Sequence, residues 1–188
     1  MNLQIKAICE IANFLRNEHI PYVIIGGIAV QHWGEPRFTR DIDVTILVNV
    51  GEEERVINKI FSKFAPRIQN ALEIALKHRV CLVKSSDGYE IDISLGIPGY
   101  EEELIKRAVM CDLKVCKVNI CSAEDLIIHK AVAGRPQDCA DIKGIILRRG
   151  DLLDVDYIRS WLTQFSSALE EKEVLERFER PWREIKGL

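Results

Sequence analysis

Three aspartates in two short apolar segments are the residues of this sequence best suited to chemistry. Asp41 and Asp43 are separated by Ile42, and Asp92 lies between two isoleucines. Successive side chains of a β-strand point to opposite faces, so Asp41 and Asp43 would project together while Ile42 enters the core. Aspartate is a poor strand former, and its presence in two apolar strands therefore needs a chemical reason.

Two carboxylates on one face of a strand repel each other unless a proton or a cation lies between them. Asp41 and Asp43 follow a loop that contains Gly34 and Pro36, which places them at a sheet edge. Mg²⁺ takes oxygen ligands and keeps coordination positions open for phosphate oxygens. The pattern therefore predicts a site for Mg²⁺ or Mn²⁺. A pair that only forms the polar face of an exposed strand is the alternative.

A third carboxylate would complete this site if its strand lies beside the first one. Asp92 has apolar flanks like those of Asp43, and Glu90, which shares its face, is the competitor. Three carboxylates can hold two metal ions. One ion activates a hydroxyl, and the other clamps a triphosphate and its leaving pyrophosphate.

Gly26 and Gly27 lie where a short apolar strand, residues 22–26, gives way to a helix over residues 28–33. Backbone amides at such a junction are free to hold phosphate, and the missing side chains allow close approach. A plain tight turn is the other explanation for a Gly-Gly pair.

Residues 22–48 read YVIIGGIAVQHWGEPRFTRDIDVTILV. This segment resembles the DNA polymerase β-like nucleotidyltransferase superfamily, in which Gly-Gly or Gly-Ser after the first strand is followed by D-x-D and later by a third Asp. The match runs from about residue 20 to residue 96. Arg37 to Asp43 is similar to the bacterial and archaeal branch, which includes antibiotic nucleotidyltransferases and AbiEii-type toxins. The resemblance implies that Asp41, Asp43 and Asp92 are catalytic metal ligands that transfer a nucleotide from an NTP.

The helical half of the chain extends this resemblance through two weaker motifs, Asp125-x4-Lys130 and Arg135-x5-Asp141. The resemblance implies that Lys130 meets the triphosphate as a point charge. An ion pair between helices is the alternative for Arg135 with Asp138 or Asp141.

The nucleotide is expected to contact the two glycines, three side chains beside the aspartate pair and the lysine of the helical half. These predicted nucleotide-binding residues are Gly26, Gly27, Arg37, Thr39, Arg40 and Lys130. For Arg37 and Arg40, a solvated loop arginine is the competing interpretation.

The elements predicted around these residues give an α/β (α+β) fold, a nucleotidyltransferase-type mixed β-sheet core flanked by helices with a C-terminal helical extension. Helices are predicted over residues 3–17 and 67–78, and Asp87-Gly88 predicts a hairpin between strands at 81–85 and 89–95. Ser122 and Pro136 mark the starts of later helices. Residues 1–121 form the predicted core, and residues 122–188 form a helical part packed on it.

Composition narrows the possible partners and locations. A net charge of −3 does not favour an extensive surface for duplex nucleic acid, although a local basic patch is compatible with it. The sequence shows no bilayer-length apolar run and no signal-peptide pattern, so a cytoplasmic protein without membrane association is expected. The six cysteines form no C-x-x-C pair, and buried thiols are expected rather than disulfides or metal ligands.

The predicted function is metal-dependent transfer of an NMP to a hydroxyl of a small molecule, a protein or an RNA end. Two alternatives stay open. One is a toxin–antitoxin component with a small protein partner, and the other is a non-catalytic nucleotide-binding module on the same fold.

Overall fold

The computed structural model describes residues 2–188, which form two compact units. The first unit contains the residues up to Ile28 and Phe38–Cys121, and the second contains Ala29–Arg37 and Ser122–Leu188. The described residues hold a seven-stranded mixed sheet and nine α-helices, which confirms the predicted fold class. Within this part of the chain, no helix has the length and apolar character that a bilayer crossing requires.

The sheet belongs to the first unit. Its strands are β1 (Tyr22–Ile24), β2 (Asp41–Leu47), β3 (Ala65–Pro66), β4 (Val80–Lys84), β5 (Glu90–Gly96), β6 (Val109–Asp112) and β7 (Lys117–Ile120). Their order in the sheet is β3-β4-β5-β2-β1-β7-β6. The β2–β5 and β1–β7 pairs are parallel, and the other four pairs are antiparallel. The hairpin predicted at Asp87-Gly88 is confirmed as the β4–β5 pair.

The two central strands follow the alternation that their sequences predict. On β2, Ile42, Val44 and Ile46 are at most 1% exposed, and on β5 Ile91 and Ile93 are fully buried. The aspartates occupy the intervening positions and are only half-buried. One face of this strand pair is therefore apolar, and the other carries the carboxylates.

Five helices begin in the first unit. They are α1 (Leu3–Asn17), α2 (Gly26–Trp33), α3 (Glu53–Lys63), α4 (Ala71–His78) and α5 (Tyr100–Lys106), and α2 ends in the second unit. The helix predicted over residues 3–17 is confirmed as α1, which buries Ile8, Ile11 and Leu15 along one stripe. The helix predicted from residue 67 is wrong at its start, because Ala65–Pro66 pairs with β4 and helical structure begins at Ala71.

The second unit is helical after Cys121. It contains α6 (Ala123–Ala133), α7 (Pro136–Arg149), α8 (Val155–Ala168) and α9 (Glu173–Lys186), with a 3-10 turn at Gly150–Leu152. The predicted cap of α6 is confirmed, since the Ser122 hydroxyl oxygen accepts a hydrogen bond from the Asp125 amide at 3.0 Å. Pro136 is the first residue of α7, as predicted.

The prediction of buried thiols is wrong for a disulfide-bonded pair and for Cys139, which is an exposed thiol. Cys9 of α1 and Cys116 of the loop between β6 and β7 form a disulfide, with their Cα atoms 5.8 Å apart. Their sequence separation of 107 puts this pairing beyond any argument from local spacing. Cys81 and Cys121 are buried thiols as predicted, and burial raises the pKa of Cys81 to about 12.

Candidate active site

The register of two parallel strands brings the three predicted aspartates together. In the β2–β5 pair, Asp43 lies directly opposite Asp92, and Asp41 lies opposite Glu90. One carboxylate oxygen each from Asp41, Asp43 and Asp92 lies within 4.8 Å of the other two. The cluster thus arises from two short sequence segments whose strands are neighbours in the sheet.

The environment of this cluster suits a hard divalent cation. Its donors are carboxylate oxygens on half-buried side chains, the ligand type that Mg²⁺ and Mn²⁺ prefer. Burial raises the pKa of Asp92, and the charge of Asp41 adds to that rise, whereas Arg67 opposes it. A cation among the three carboxylates would relieve both the repulsion and the loss of hydration. The residues present therefore fit the metal that the sequence predicts.

The buried Thr39 side chain forms a hydrogen bond with Asp41. Its side chain is 6% exposed, and its hydroxyl donates to Oδ1 of Asp41 at 3.0 Å. The Thr39 carbonyl accepts from the Tyr89 hydroxyl at 2.9 Å, and Gln4 donates to that hydroxyl at 2.9 Å. This chain of hydrogen bonds fixes the carboxylate of Asp41. Thr39 is a predicted nucleotide contact, and no sequence motif signals its hydrogen bond to Asp41.

Gly26 and Gly27 make room for the aspartate strand. Gly26 has φ +61°, and a Cβ there would lie 1.9 Å from Oδ2 of Asp43. A Cβ on Gly27 would lie 2.5 Å from the Thr39 hydroxyl. The amide of Ile25 donates to the Asp43 carbonyl at 3.0 Å, which holds the two segments together. The glycine pair thus has a packing role at the site, independent of any phosphate.

Arg67 is the residue at this site that sequence analysis missed. It follows β3, and its guanidinium forms ion pairs with Asp92 and, at 2.6 Å, with Glu90. Both carboxylates are thus paired with Arg67, and Asp92, not the exposed Glu90, belongs to the cluster with Asp41 and Asp43. Only the two-residue strand β3 brings Arg67 here, and no motif around Pro66-Arg67 signals that strand.

The second unit holds two predicted nucleotide contacts in a network of ion pairs. Lys130 is 4% exposed, and its Nζ lies 2.8 Å from Asp138 and 2.9 Å from Asp141. Arg37 donates to both carboxylate oxygens of Asp141 at 2.9 Å, and Arg135 pairs with Asp138 at 2.6 Å. A nucleotide role for Arg37 or Lys130 would require the triphosphate to compete with these carboxylates.

Two opposing effects act on the carboxyls of this network. Burial raises the pKa of Asp141, but hydrogen bonds from Arg37, Lys130 and Gln137 outweigh it, so the pKa lies below its usual value. The same balance holds for Asp138, whose donors are Arg135 and Lys130. Both carboxyls are therefore charged near neutral pH, as their cationic partners require.

Arg40, the remaining predicted nucleotide contact, lies one residue before Asp41 and is exposed.

Solved structures share this fold. An antigenic nucleotidyltransferase-like protein from Paracoccidioides brasiliensis superposes with a TM-score of 0.55 at 16% identity, over 92% of this chain and 91% of that one. The antibiotic-resistance factor ANT(2'')-Ia superposes with a TM-score of 0.57 at 16% identity, over 89% and 95% of the two chains. At such identities the likeness concerns the fold alone.

Sequence comparison gives the family. No sequence among curated proteins matches this chain. The model of one protein family, described as "Nucleotidyltransferase of unknown function (DUF6036)", matches residues 4–187. The AbiEii-type branch is not supported by these matches and stays a prediction from the sequence. With almost every residue covered by that one family model, the chain belongs to the DUF6036 family of nucleotidyltransferases.

Proposed function

We propose that this nucleotidyltransferase moves an NMP from an NTP to a hydroxyl acceptor, with a divalent cation, and releases pyrophosphate. The observation that carries the proposal is the convergence of Asp41, Asp43 and Asp92, whose oxygens lie within 4.8 Å of one another. Membership of a nucleotidyltransferase family supports the same reaction class.

The three aspartates would hold the cation, Mg²⁺ or Mn²⁺. When bound, the cation supplies positive charge that orients the triphosphate and stabilises charge on the departing pyrophosphate. Thr39 keeps Asp41 in place through its hydroxyl, and Gly26 leaves the space that the Asp43 carboxylate occupies. The protein thereby presents its carboxylates in a fixed arrangement before substrate arrives, which lowers the cost of ordering them.

Asp92 is the residue we assign as proton acceptor. The acceptor oxygen forms a bond to the α-phosphorus, the bond from that phosphorus to pyrophosphate breaks, and the hydroxyl proton passes to Asp92. Its carboxylate lies opposite Asp43 in the β2–β5 register and belongs to the cluster at which the acceptor hydroxyl would bind, which is the position that a proton acceptor requires.

The nucleotide would lie at the start of α2 and beside the aspartate strand. Amides at a helix N-terminus carry partial positive charge, so the first residues of α2, Gly26 and Gly27, suit phosphate oxygens. Arg40 is exposed and adjacent to Asp41 in the chain, which supports its predicted role toward the triphosphate. Arg37 and Lys130 stay predicted contacts of the nucleotide.

A hydroxyl on a small molecule is the acceptor that we would test first. The complex of ANT(2'')-Ia with adenylyl-2''-tobramycin, which superposes with a TM-score of 0.55 at 16% identity, contains an adenylylated small molecule. Protein and RNA hydroxyls are the other acceptors that the chemistry allows. A cytoplasmic location, a small protein partner and a toxin–antitoxin role rest on the sequence and stay predictions.

The experiment is incubation with each of the four labelled NTPs, Mg²⁺ or Mn²⁺, and three acceptor pools: small molecules, proteins and RNA. We expect one nucleotide to become covalently attached in one pool, and EDTA to abolish the attachment. Asp41→Asn is the matched inactive control, because the amide keeps the shape of the side chain while it removes a charged ligand. Absence of transfer in all pools, or full activity of Asp41→Asn in EDTA, would contradict the proposal.

A further inference from the structure

Helix α1 is attached to two hairpins of the sheet. At the β6–β7 hairpin, the disulfide between Cys9 and Cys116 attaches the helix covalently. Strands β2 and β1 lie between the two hairpins, so α1 bridges the strand that carries Asp41. Three of its polar side chains contact the turn that joins β4 to β5: Gln4 with the Tyr89 hydroxyl at 2.9 Å, Lys6 with Asp87 at 3.5 Å, and Glu10 with the Ser86 amide at 2.9 Å.

The Gln4 contact continues to the candidate active site. The Tyr89 hydroxyl accepts a hydrogen bond from Gln4 and donates one to the Thr39 carbonyl at 2.9 Å. A phenol can do both at once, because its hydroxyl is a donor and also an acceptor. The Thr39 hydroxyl then donates to Oδ1 of Asp41 at 3.0 Å. Three consecutive hydrogen bonds thus link the position of α1 to that of a carboxylate in the cluster.

The disulfide is open to exchange with thiols in solution. Cys9 and Cys116 are half-buried, and the neighbouring Val115 is 58% exposed. A dithiol reductant attacks one sulfur as a thiolate, and the other sulfur leaves and takes a proton. The second thiol of the reductant then displaces the first sulfur, which also leaves as a thiol. The reductant supplies two electrons and becomes a disulfide, and the protein gains two thiols.

Reduction removes the covalent attachment of α1 but not its buried apolar stripe. At the same hairpin Arg16 donates to the Lys117 carbonyl, and water competes for this exposed contact. A shift of about 0.7 Å lengthens a 2.9 Å contact to about 3.6 Å, at which it is no longer a hydrogen bond. The link from Gln4 to Tyr89 is therefore sensitive to small displacements of the helix.

We propose that the Cys9–Cys116 disulfide is a redox switch that sets the position of Asp41 through α1 and Tyr89. Tyr89 is a positioning residue in this switch, because it acts on Asp41 through Thr39. Reduction by a dithiol loosens this route and lowers nucleotidyl transfer. The effect on transfer rests on the proposed function, whereas the displacement at Asp41 does not depend on any acceptor.

The first measurement is nucleotidyl transfer by the wild-type protein before and after reduction with dithiothreitol. The kcat should fall by about tenfold, less than the roughly 10²-fold typical of a 1 Å misplacement, because the apolar stripe still holds α1. Reoxidation with oxidised glutathione should restore kcat. A transfer rate that is the same in the oxidised and reduced states would overturn the proposal.

The matched control for the other cysteines is the double variant Cys9→Ser, Cys116→Ser. Its four remaining cysteines include the exposed Cys139. The kcat of this variant should equal that of the reduced wild type, and dithiothreitol should not lower it further. A response to dithiothreitol as large as that of the wild type would assign the effect to the remaining thiols and overturn the proposal.

A second pair of variants tests the route through Tyr89. Tyr89→Phe removes the hydroxyl and keeps the ring, so kcat should start about tenfold lower and show no further fall on reduction. Glu10→Ala removes a contact to Ser86 of the same turn, outside the route to Asp41, and should keep the response to reduction. A full response in Tyr89→Phe, or its loss in Glu10→Ala, would assign the effect to general loosening of α1 and overturn the proposal.

The amide chemical shifts of Thr39, Arg40 and Asp41, measured by NMR, report the switch without NTP or acceptor. Reduction should change them in the wild type and leave them nearly unchanged in Tyr89→Phe. If the wild type transfers no nucleotide in either state while these shifts respond to reduction, the proposed function fails and the switch stands. If the wild type transfers nucleotide equally in both states and the shifts stay the same, only the switch fails.

Discussion

Replacing Gly26 with alanine tests whether the close approach of the glycine backbone to Asp43 shapes the candidate active site. The new Cβ would lie 1.9 Å from Oδ2, 2.7 Å from Cγ and 2.9 Å from Cβ of Asp43. The carboxylate would have to withdraw by about 1.5 Å to reach ordinary contact distance. Because the Cβ of Asp43 is also too close, side-chain rotation alone cannot relieve the contact, and the backbone of β2 must shift.

Two costs set the size of the effect. Gly26 has φ +61°, in the left-handed region. A residue with a Cβ in that conformation lowers the stability of the fold by about 1–2 kcal/mol. Overpacking adds about 1–3 kcal/mol. The free energy of unfolding should therefore fall by about 2–5 kcal/mol. A catalytic group displaced by about 1 Å typically costs 10²-fold in rate, so kcat should fall by at least about that factor.

Gly88→Ala separates the two costs. Gly88 lies in the turn between β4 and β5 with φ +80°, and a Cβ there would meet no atom within 4 Å. This control carries the backbone cost without the clash, so it should lose about 1–2 kcal/mol and retain metal binding and transfer. Urea unfolding gives the stabilities, calorimetric titration with Mn²⁺ reports the site, and single-turnover transfer reports the chemistry. If Gly26→Ala binds Mn²⁺ and transfers nucleotide as Gly88→Ala does, the packing argument is refuted.

Lys130→Ala should lower the free energy of unfolding by about 1–3 kcal/mol, because Asp138 and Asp141 lose their buried cation and keep only Arg135 and Arg37 as ion-pair partners. Lys143→Ala, at an exposed site on α7, is the urea-unfolding control and should stay within about 0.5 kcal/mol. Burial lowers the pKa of His129 to about 4. Between pH 6.5 and about 4, the His129 imidazole is therefore protonated in the unfolded protein and neutral in the folded protein. Stability should fall by about 3 kcal/mol as the pH drops through that window. Urea unfolding at pH 7.5 and at pH 4.5 should show this fall in the free energy of unfolding. An equal fall in His129→Leu would assign the effect to other groups.

Local patterns were sufficient to predict the elements that carry the aspartates. Ile42, Val44 and Ile46 alternate with polar positions, which fixed both the strand and the face on which Asp41 and Asp43 lie. The Asp87-Gly88 turn predicted the hairpin that carries Asp92. These features depend on residues within a few positions of one another, and a single sequence contains that information.

Pairing between distant segments was not predictable in the same way. Arg67 reaches Asp92 through β3, a strand of two residues that has no periodicity to detect. Lys130 carried the pattern expected of a nucleotide contact, yet its carboxylate partners come from the next helix. In each case the deciding interaction joins segments whose register depends on the assembled fold, and side-chain type alone does not specify a partner.

The disulfide between Cys9 and Cys116 makes a closed covalent ring of most of the first unit. All three aspartates and the strands that carry them lie inside this ring, whose two cysteines have a sequence separation of 107. A ring of that size lowers the conformational entropy of the unfolded chain, which stabilises the folded state by about 4–5 kcal/mol in the chain-entropy model. A single proteolytic cut between residues 10 and 115 would open the ring but leave both fragments attached. The fragments would migrate as one species until a reductant separated them, and the stability of the first unit would follow the thiol–disulfide potential of its surroundings.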